Sequence, residues 1–328
     1  MTSLIMRLIL NQISFLFLLV GTGVAASQSQ PYYPSGSPTV AVLTLELESS
    51  SVPRETSYIK NSYLNWLEQN NMRWVEINFF ESEESYLRKL EVSDALLLTG
   101  GGQNVLKPDG STSEYFKVAK RLIQYAVERN QRGSYFPLWG TCLGFQSIVY
   151  TFSRETLRVA TVDNPTSSGS LHLLSPESRF FRSVFSHQDI LVLENKPSLL
   201  FHHTYGYMLN EALENQIFMS EFNILASAET ATKKTVVGMI EHKHLPIFGT
   251  QFHPEAMQFL FNNQDIDSHS EEIQTVNRKF STVFRKMIRE GKDFPYPLLQ
   301  DLRGAREIML DSTNAPMTVF KRRSTSLV

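Results

Sequence analysis

A single cysteine stands at the centre of residues 138–146, which run Leu138-Trp139-Gly140-Thr141-Cys142-Leu143-Gly144-Phe145-Gln146. An apolar and aromatic run precedes the cysteine, and a helix-like stretch follows it. A Gly-x-Cys-x-Gly pentapeptide between strand and helix is typical of a nucleophile elbow, because glycines permit the sharp turn that exposes one side chain. The sulfur then lies near a helix N-terminus, where the macrodipole favours the thiolate. We predict that Cys142 is a catalytic nucleophile, although a lone cysteine is ordinarily a small buried apolar residue.

Strand-like and helix-like segments alternate on the N-terminal side of this elbow. Short apolar or alternating runs predict strands at 39–45, 74–79 and 95–98, and helical spacing predicts helices at 56–70 and 114–132. Such alternation predicts an α/β fold with a parallel sheet and helices on both of its faces. In such sheets ligands bind beyond the carboxyl ends of the strands, where the loops meet. The elbow stands at one of these ends.

The second half of the chain extends the same pattern. Apolar runs at 190–193, 236–240 and 246–252 predict further strands of the same sheet, and a helix from 272 to 290 is expected to cover an edge of it. No internal repeat interrupts the sequence. We therefore predict one domain over residues 39–310.

The two ends of the chain carry predicted segments of other kinds. Residues 1–26 combine a basic start, a short apolar core and small residues before a cleavage point, as secretory signal peptides do. The alternative is an uncleaved signal anchor, for which the apolar core is short. A flexible lead-in is predicted for 27–38 and a disordered polar tail for 311–328. We expect no membrane association after cleavage, and a protein that is secreted or enters a lysosomal or vacuolar lumen.

Composition excludes several classes of function. The 328 residues are 42% hydrophobic with a formal net charge of −2, which gives no basis for nucleic acid binding. One cysteine allows no internal disulfide, and no cysteine–histidine cluster has the spacing of a zinc site. A lone thiol in an oxidising compartment favours a catalytic role. We expect no metal and no cofactor.

A second segment supplies the partners that a thiolate needs. It runs Gln251-Phe252-His253-Pro254-Glu255 at the end of a predicted strand. Residues two apart on a strand face the same side, so His253 and Glu255 are expected to converge. His253 would act as the base, and Glu255 would orient the imidazole and stabilise its cation. A His-x-Glu pair alone is commonplace, and its meaning here comes from the elbow.

Backbone donors are expected for the oxyanion of a tetrahedral intermediate. The N–H of Leu143, directly after the nucleophile, is the natural first donor. A second is expected from the glycine run after the strand at 95–98, with Gly101 as donor and Gly102 as a substrate contact. An ordinary strand-ending turn is the alternative interpretation of these glycines.

Taken together, the elbow, the glycine run and the Gln-Phe-His-Pro-Glu segment resemble the class I glutamine amidotransferase superfamily, from about Val40 to Lys286. Within it, Tyr135-Phe136-Pro137 before the elbow and Ser57-Tyr58-Ile59-Lys60 resemble the γ-glutamyl hydrolases, which cleave folate poly-γ-glutamates. The resemblance implies a three-layer, flavodoxin-like sandwich with a mostly parallel central sheet. It also implies a small-molecule γ-glutamyl substrate, and it leaves a homodimer open.

Two residues in this resemblance are implied to contact the substrate. His202 follows a phenylalanine, as does a histidine near the active site of the hydrolases, although the residues after it depart from their pattern and a structural role remains open. Gln146 stands where the folate-type hydrolases usually carry glutamate. The class I glutamine amidotransferases usually carry glutamine at this position, so the departure concerns substrate preference.

Three functions follow from these observations. The first is a cysteine hydrolase that cleaves γ-glutamyl bonds through a thioester on Cys142. The second is a glutaminase module, which would need a synthase partner that a secreted protein does not meet. The third is a non-catalytic binding protein. The presence of the complete set of Cys142, His253 and Glu255 argues against it. We expect the hydrolase.

Overall fold

Strands and helices alternate along the first half of the chain. The computed structural model describes residues 33–47, 53–157, 159–259, 270–290, 306–310 and 316–321, so the predicted signal peptide lies outside the described residues. The strands of the described residues are β1 (Thr39–Leu43), β2 (Leu45–Glu46), β3 (Thr56–Lys60), β4 (Arg73–Ile77), β5 (Ala95–Leu98), β6 (Leu138–Thr141), β7 (Ala160–Gly169), β8 (His172–Leu173), β9 (Leu199–Gly206), β10 (Phe222–Glu229), β11 (Thr235–His242), β12 (Ile247–Thr250), β13 (Arg306–Leu310) and β14 (Pro316–Lys321). The helices of the same residues are α1 (Asn61–Glu68), α2 (Glu83–Glu91), α3 (Glu114–Gln131), α4 (Leu143–Phe152), α5 (Arg179–Val184), α6 (His187–Asn195), α7 (Leu209–Glu214), α8 (Gln216–Glu221), α9 (Ala256–Phe259) and α10 (Glu271–Glu290).

The strand that leads into Cys142 lies inside an eight-stranded sheet of order β4-β1-β5-β6-β12-β11-β10-β8. Neighbours from β4 to β12 pair in parallel, and the remaining three strands continue the sheet antiparallel. The register aligns Gly140 of β6 with Leu98 of β5 and with Gly249 of β12. Because these parallel strands end at one edge of the sheet, the segments that follow them meet there.

Helices cover both faces of this sheet. Successive strand residues point to opposite faces, so Val40 and Val42 pack towards α1 and α10 while Ala41 and Leu43 pack towards α3 and α4. The predicted α/β three-layer sandwich with a mostly parallel central sheet is confirmed.

Trp139 anchors the elbow strand from one of these faces. It is fully buried, and its ring centroid lies 5.5 Å from that of Trp66 on α1 and 5.7 Å from that of Phe284 on α10. Aromatic pairs at such distances contribute about 0.5–1.5 kcal/mol each beyond their burial. Trp139, which directly precedes Gly140 of the elbow, is therefore held by both α1 and α10.

The strand predicted at 190–193 is wrong, because these residues lie in α6. Ser186 and Asp189 form a capping box that starts this helix, which satisfies N–H groups that a strand would have had to pair elsewhere. Only part of the apolar run is buried: Val192 and Leu193 face the core, whereas Leu191 is 38% exposed. A helical face, and not a buried strand, explains the run.

The helix predicted for 56–70 is also wrong over its first five residues. They form β3, which lies in a second sheet of order β13-β14-β3-β2, and α1 begins only at Asn61. The predicted disordered tail is wrong for 316–321 for the same reason, since β14 pairs along β3. Met317, Val319 and Phe320 are buried there. The paired residues of β3 and β14 are more than 250 positions apart in sequence, so no local pattern predicts their pairing.

The end of the predicted lead-in belongs to the packed structure. Ser37 and Pro38 are buried, and their carbonyl groups accept hydrogen bonds from Arg73. The hydroxyl of Tyr33 donates to Glu68 at 3.0 Å. Flexibility is therefore a wrong prediction for these last residues.

None of the helices in the described ranges is long and apolar enough to span a membrane.

Candidate active site

Cys142 occupies a strained turn between β6 and α4. Its φ of 51° is positive, a conformation that costs a residue with a side chain about 1–3 kcal/mol and that surrounding contacts must enforce. Its N–H donates to the carbonyl of Thr250 at 2.8 Å, which ties the turn to β12. Only 6% of the residue is exposed.

The glycines on either side of Cys142 are required by close packing. A Cβ on Gly144 would lie 2.2 Å from the carbonyl oxygen of Leu98, and a Cβ on Gly140 would lie 2.7 Å from the backbone of Gly144. Atoms do not approach so closely, so α4 can pack against β5 and β6 only without these side chains. The turn has the geometry of the predicted elbow.

His253 and Glu255 follow β12 and converge as their spacing predicts. His253 Nδ1 lies 2.8 Å from Glu255 Oε1, and Glu255 is 2% exposed. Burial by itself would lower the pKa of His253, but the negative charges of Glu255 and Cys142 outweigh it and raise that pKa to about 10. The imidazole is therefore a cation at neutral pH, stabilised by the carboxylate.

Gly100 is the glycine that lies against Cys142 and the imidazole of His253. A Cβ built on it would lie 2.7 Å from Cε1 of His253 and 2.9 Å from Cβ of Cys142, which shows that these two side chains are close neighbours. Gly101 instead packs against Leu45, where a Cβ would meet Cδ1 at 2.2 Å. Gly102 faces open space. The sequence missed Gly100, and the oxyanion role of Gly101 stays a prediction.

Tyr63 is a second residue of the site that the sequence did not single out. Its hydroxyl accepts a hydrogen bond from the N–H of Gly100 at 2.8 Å and lies 3.2 Å from His253 Nδ1. Burial, followed by the charges of Glu255 and Cys142, raises the pKa of Tyr63 well above its usual value, so the phenol stays neutral. Helical spacing places Tyr63 on the buried face of α1, and no local signal separates it from the core residues there.

The two predicted substrate contacts have different environments. Gln146 is 6% exposed, and its Nε2 donates to the carbonyl of Tyr205 at 2.8 Å and to Gln251 Oε1 at 3.3 Å. The side chain of His202 is exposed, whereas its carbonyl oxygen lies 3.7 Å from Sγ of Cys142. Substrate contact by either residue stays a prediction.

His203, which the sequence analysis passed over, is the buried histidine of this pair. Burial lowers the pKa of His203 to about 4, so its ring is neutral, and its Nδ1 lies 3.0 Å from the carbonyl of Tyr205.

Within the described parts of the chain, no group of three or more His, Cys, Asp or Glu side chains is arranged to hold a metal ion.

The fold and the site together define a class of protein. A cysteine on an elbow, an imidazole paired with a carboxylate, and a glycine loop meet at the carboxyl edge of a mostly parallel sheet, as covalent catalysis by a thiolate requires. Residues 54–267 match the family described as "Glutamine amidotransferase class-I".

The chain therefore belongs to the class I glutamine amidotransferase family, as the sequence analysis predicted. It is 29% identical to gamma-glutamyl hydrolase of Mus musculus, over 82% of this chain and 86% of the relative. It is 30% identical to gamma-glutamyl hydrolase of Homo sapiens, over 65% of each chain. Gamma-glutamyl hydrolase 1 of Arabidopsis thaliana is 28% identical, over 73% of this chain and 67% of the relative.

Proposed function

We propose that this chain is a cysteine-dependent γ-glutamyl hydrolase that acts on a small-molecule substrate. The observation that carries the proposal is the convergence of Cys142, His253 and Glu255 around Gly100 at one edge of the sheet. The names of the relatives from mouse, human and Arabidopsis support the γ-glutamyl bond as the one that is cleaved.

The reaction begins with a protonated imidazole beside Cys142. Because the pKa of His253 is about 10, the imidazole holds a proton at neutral pH, and it is the cationic partner that an attacking thiolate requires. The sulfur adds to the γ-carbonyl carbon, and the backbone N–H groups of Leu143 and Gly101 stabilise the oxyanion. The C–N bond then breaks as His253 gives its proton to the leaving amine, which leaves a γ-glutamyl thioester.

Hydrolysis of the thioester reverses these roles. Neutral His253 now takes a proton from water, whose oxygen attacks the thioester carbon. The C–S bond breaks, the acyl half of the substrate leaves with a free γ-carboxylate, and the imidazolium–thiolate pair is restored. Glu255 orients the ring in both halves and performs no proton transfer itself.

Folate poly-γ-glutamates are the proposed substrates, on the resemblance of the elbow and its lead-in to the folate-type hydrolases. We place the protein in the secretory pathway, as a secreted or lysosomal or vacuolar enzyme, because residues 1–26 have the pattern of a signal peptide. A homodimer is part of the same proposal.

The test incubates the purified protein with folate pentaglutamate and, separately, with free glutamine, and resolves the products by mass spectrometry. Shortened folates that are absent with the Cys142→Ala variant would support the hydrolase and show the cleaved bond. Ammonia from glutamine with intact folates would replace it with a glutaminase. Products that persist undiminished with Cys142→Ala would overturn the mechanism.

Two further variants assign the roles around the nucleophile. His253→Ala should lower kcat/KM by about 10²–10⁴-fold, the usual contribution of a general acid–base. Glu255→Gln should leave more residual activity, because it removes the orienting charge and keeps the proton carrier. Equal losses in the two variants would contradict an orienting role for Glu255.

A further inference from the structure

A cavity of about 210 Å³ opens at the edge of the main sheet opposite to Cys142. It lies between α5 and the C-terminal half of α10, beside Phe248 near the start of β12 and Tyr135 just before β6. Cys142 directly follows the other end of β6, and the four residues of that strand span about 13 Å. The cavity is therefore separate from the candidate active site.

The floor of this cavity is apolar. Phe180 of α5 and Phe248 of β12 form it, with ring centroids 5.6 Å apart, and Val283 and Met287 of α10 continue it. All four residues are buried, so the surface that they offer is the inner wall of the cavity. Such a wall favours the hydrocarbon part of a ligand over water.

The mouth of the cavity is cationic. The charged side chains that line it are Arg179, Arg182 and Lys286, and all three are positive. Arg179 pairs with the buried Glu241 of β11, and Arg182 pairs with the exposed Glu177 at 2.7 Å. Two of the three positive charges are therefore balanced by carboxylates.

Lys286 supplies the charge that is not balanced. Its Nζ donates to the carbonyl of Ser183 at 3.1 Å, and no carboxylate within the described parts of the chain pairs with it. An ammonium group has three N–H donors, so two remain for a ligand. The guanidinium carbon of Arg179 lies 5.4 Å from the centre of the Phe248 ring, so a second cation is held over the apolar floor.

Size and charge together define the ligand. A dry cavity of about 150 Å³ holds one benzene ring, so about 210 Å³ accommodates a single ring with a small substituent. The apolar floor matches the ring, and the one unbalanced positive charge matches one carboxylate. A folate poly-γ-glutamate has several rings and many carboxylates, and it is too large for this cavity.

We propose that this cavity is a second binding site, which takes a small aromatic monocarboxylate. The proposal goes beyond the γ-glutamyl hydrolase function and does not depend on the role of Cys142. The floor of the cavity also belongs to the aromatic cluster behind the elbow, because the rings of Phe180 and Phe248 lie 5.8 Å and 6.4 Å from that of Trp139. A ligand in the cavity would rest on that cluster.

The test titrates para-fluorobenzoate with the full chain and follows the ligand by fluorine NMR. We expect a Kd of about 1 mM or tighter, an ordinary affinity for about ten non-hydrogen atoms. The amide para-fluorobenzamide has the same shape without the charge, so it should bind at least about fivefold more weakly. Inorganic phosphate has charge without a ring, and an equal concentration of it should not displace the probe.

Variants locate the bound probe. Lys286→Met removes the unbalanced charge and keeps the apolar stem, so the Kd for the carboxylate should rise at least about fivefold, to that of the amide. Ser183→Phe adds a ring to the cavity wall and should abolish binding of both compounds. Arg289→Met is the matched control, because it removes a positive charge from the last turn of α10 and does not line the cavity. Its Kd should equal that of the parent, as should the Kd of Cys142→Ala.

Parent-like affinity in Lys286→Met and Ser183→Phe, with both variants folded by circular dichroism, would overturn the proposal, because the probe would then bind elsewhere. Loss of binding in Cys142→Ala would overturn it as well, by placing the probe in the candidate active site. Equal affinity for acid and amide, displacement by phosphate, or no binding at about 10 mM would have the same consequence. Lys286 is exposed, so Lys286→Met decides the test if Ser183→Phe fails to fold.

Discussion

The elbow at residues 138–146 and strand β9 meet at the same sulfur but are held in place by different means. The elbow is central in the main sheet, and its geometry is enforced by backbone contacts that even one methyl group at Gly140 or Gly144 would violate. Strand β9 lies outside that sheet, where it pairs with β7, buries Leu199, Leu200 and Phe201 in the core, and contacts the site through its backbone. The position of Cys142 is therefore fixed by backbone packing within the main sheet, whereas β9 is held beside it by buried side chains and by its own backbone contacts.

The largest loss of stability and activity is expected from a substitution in the elbow. Gly144→Ala places a Cβ 2.2 Å from the carbonyl oxygen of Leu98, so we expect a loss of about 3 kcal/mol or more in unfolding free energy and no measurable turnover. Urea unfolding followed by circular dichroism measures the first. Gly102→Ala is the control, because a Cβ there meets no atom within 4 Å, and its stability should stay within about 0.5 kcal/mol of the parent. Similar stabilities for the two variants would show that the elbow tolerates movement.

A smaller effect is expected from the contacts that join the elbow to its partners. Tyr63→Phe removes the acceptor for the N–H of Gly100 and the hydroxyl 3.2 Å from His253 Nδ1. A buried donor left unsatisfied costs about 1–3 kcal/mol, so kcat should fall roughly tenfold with the fold retained. Tyr125→Phe, on α3 and away from the site, should leave kcat unchanged. A parent-like kcat in Tyr63→Phe would remove Tyr63 from the site.

The third prediction concerns the pH dependence of stability. The pKa of His253 is about 10 in the folded protein and about 6.5 in the unfolded chain, so the folded state binds more protons between these values. The contribution of His253 is complete below about pH 6.5 and is lost as pH rises towards 10. Over this interval we expect the unfolding free energy to decline by at least about 1 kcal/mol.

This decline is best measured in the Cys142→Ala background, where the thiol no longer titrates. Urea unfolding at pH 6.5 and pH 9.5 should show it, and adding Glu255→Gln should reduce it, since the carboxylate is the largest cause that raises the pKa. Parallel pH profiles with and without Glu255 would contradict the ion pair.

Sequence reasoning was most successful where the responsible contacts are local. The strands at Ala95–Leu98 and Leu138–Thr141 and the helices at Glu114–Gln131 and Glu271–Glu290 were predicted from apolar periodicity. The convergence of His253 with Glu255 follows from the two-residue repeat at a strand end.

It failed where a distant partner decides the local structure. Thr56–Lys60 becomes a strand because β14, from the other end of the chain, pairs with it. The run at 190–193 is a different case, because the helix there starts at a nearby capping box of Ser186 and Asp189 that the sequence analysis did not use. The packing of β9 across Cys142 decides which histidine of the 202–203 pair is buried. No local pattern in the sequence predicts that packing.

The sequence by itself determined the elbow at Cys142, the convergence of His253 with Glu255, and the family to which the chain belongs, because an elbow and a strand-end pair depend on residues only a few positions apart. The tertiary structure decided which glycine lies against Cys142, that Tyr63 joins the site, and that the Gln146 amide donates to the carbonyl of Tyr205 at the end of β9. Those contacts join residues 37 to 190 positions apart. Such contacts exist only after the sheet has brought the carboxyl ends of its strands together, and no sequence period encodes them.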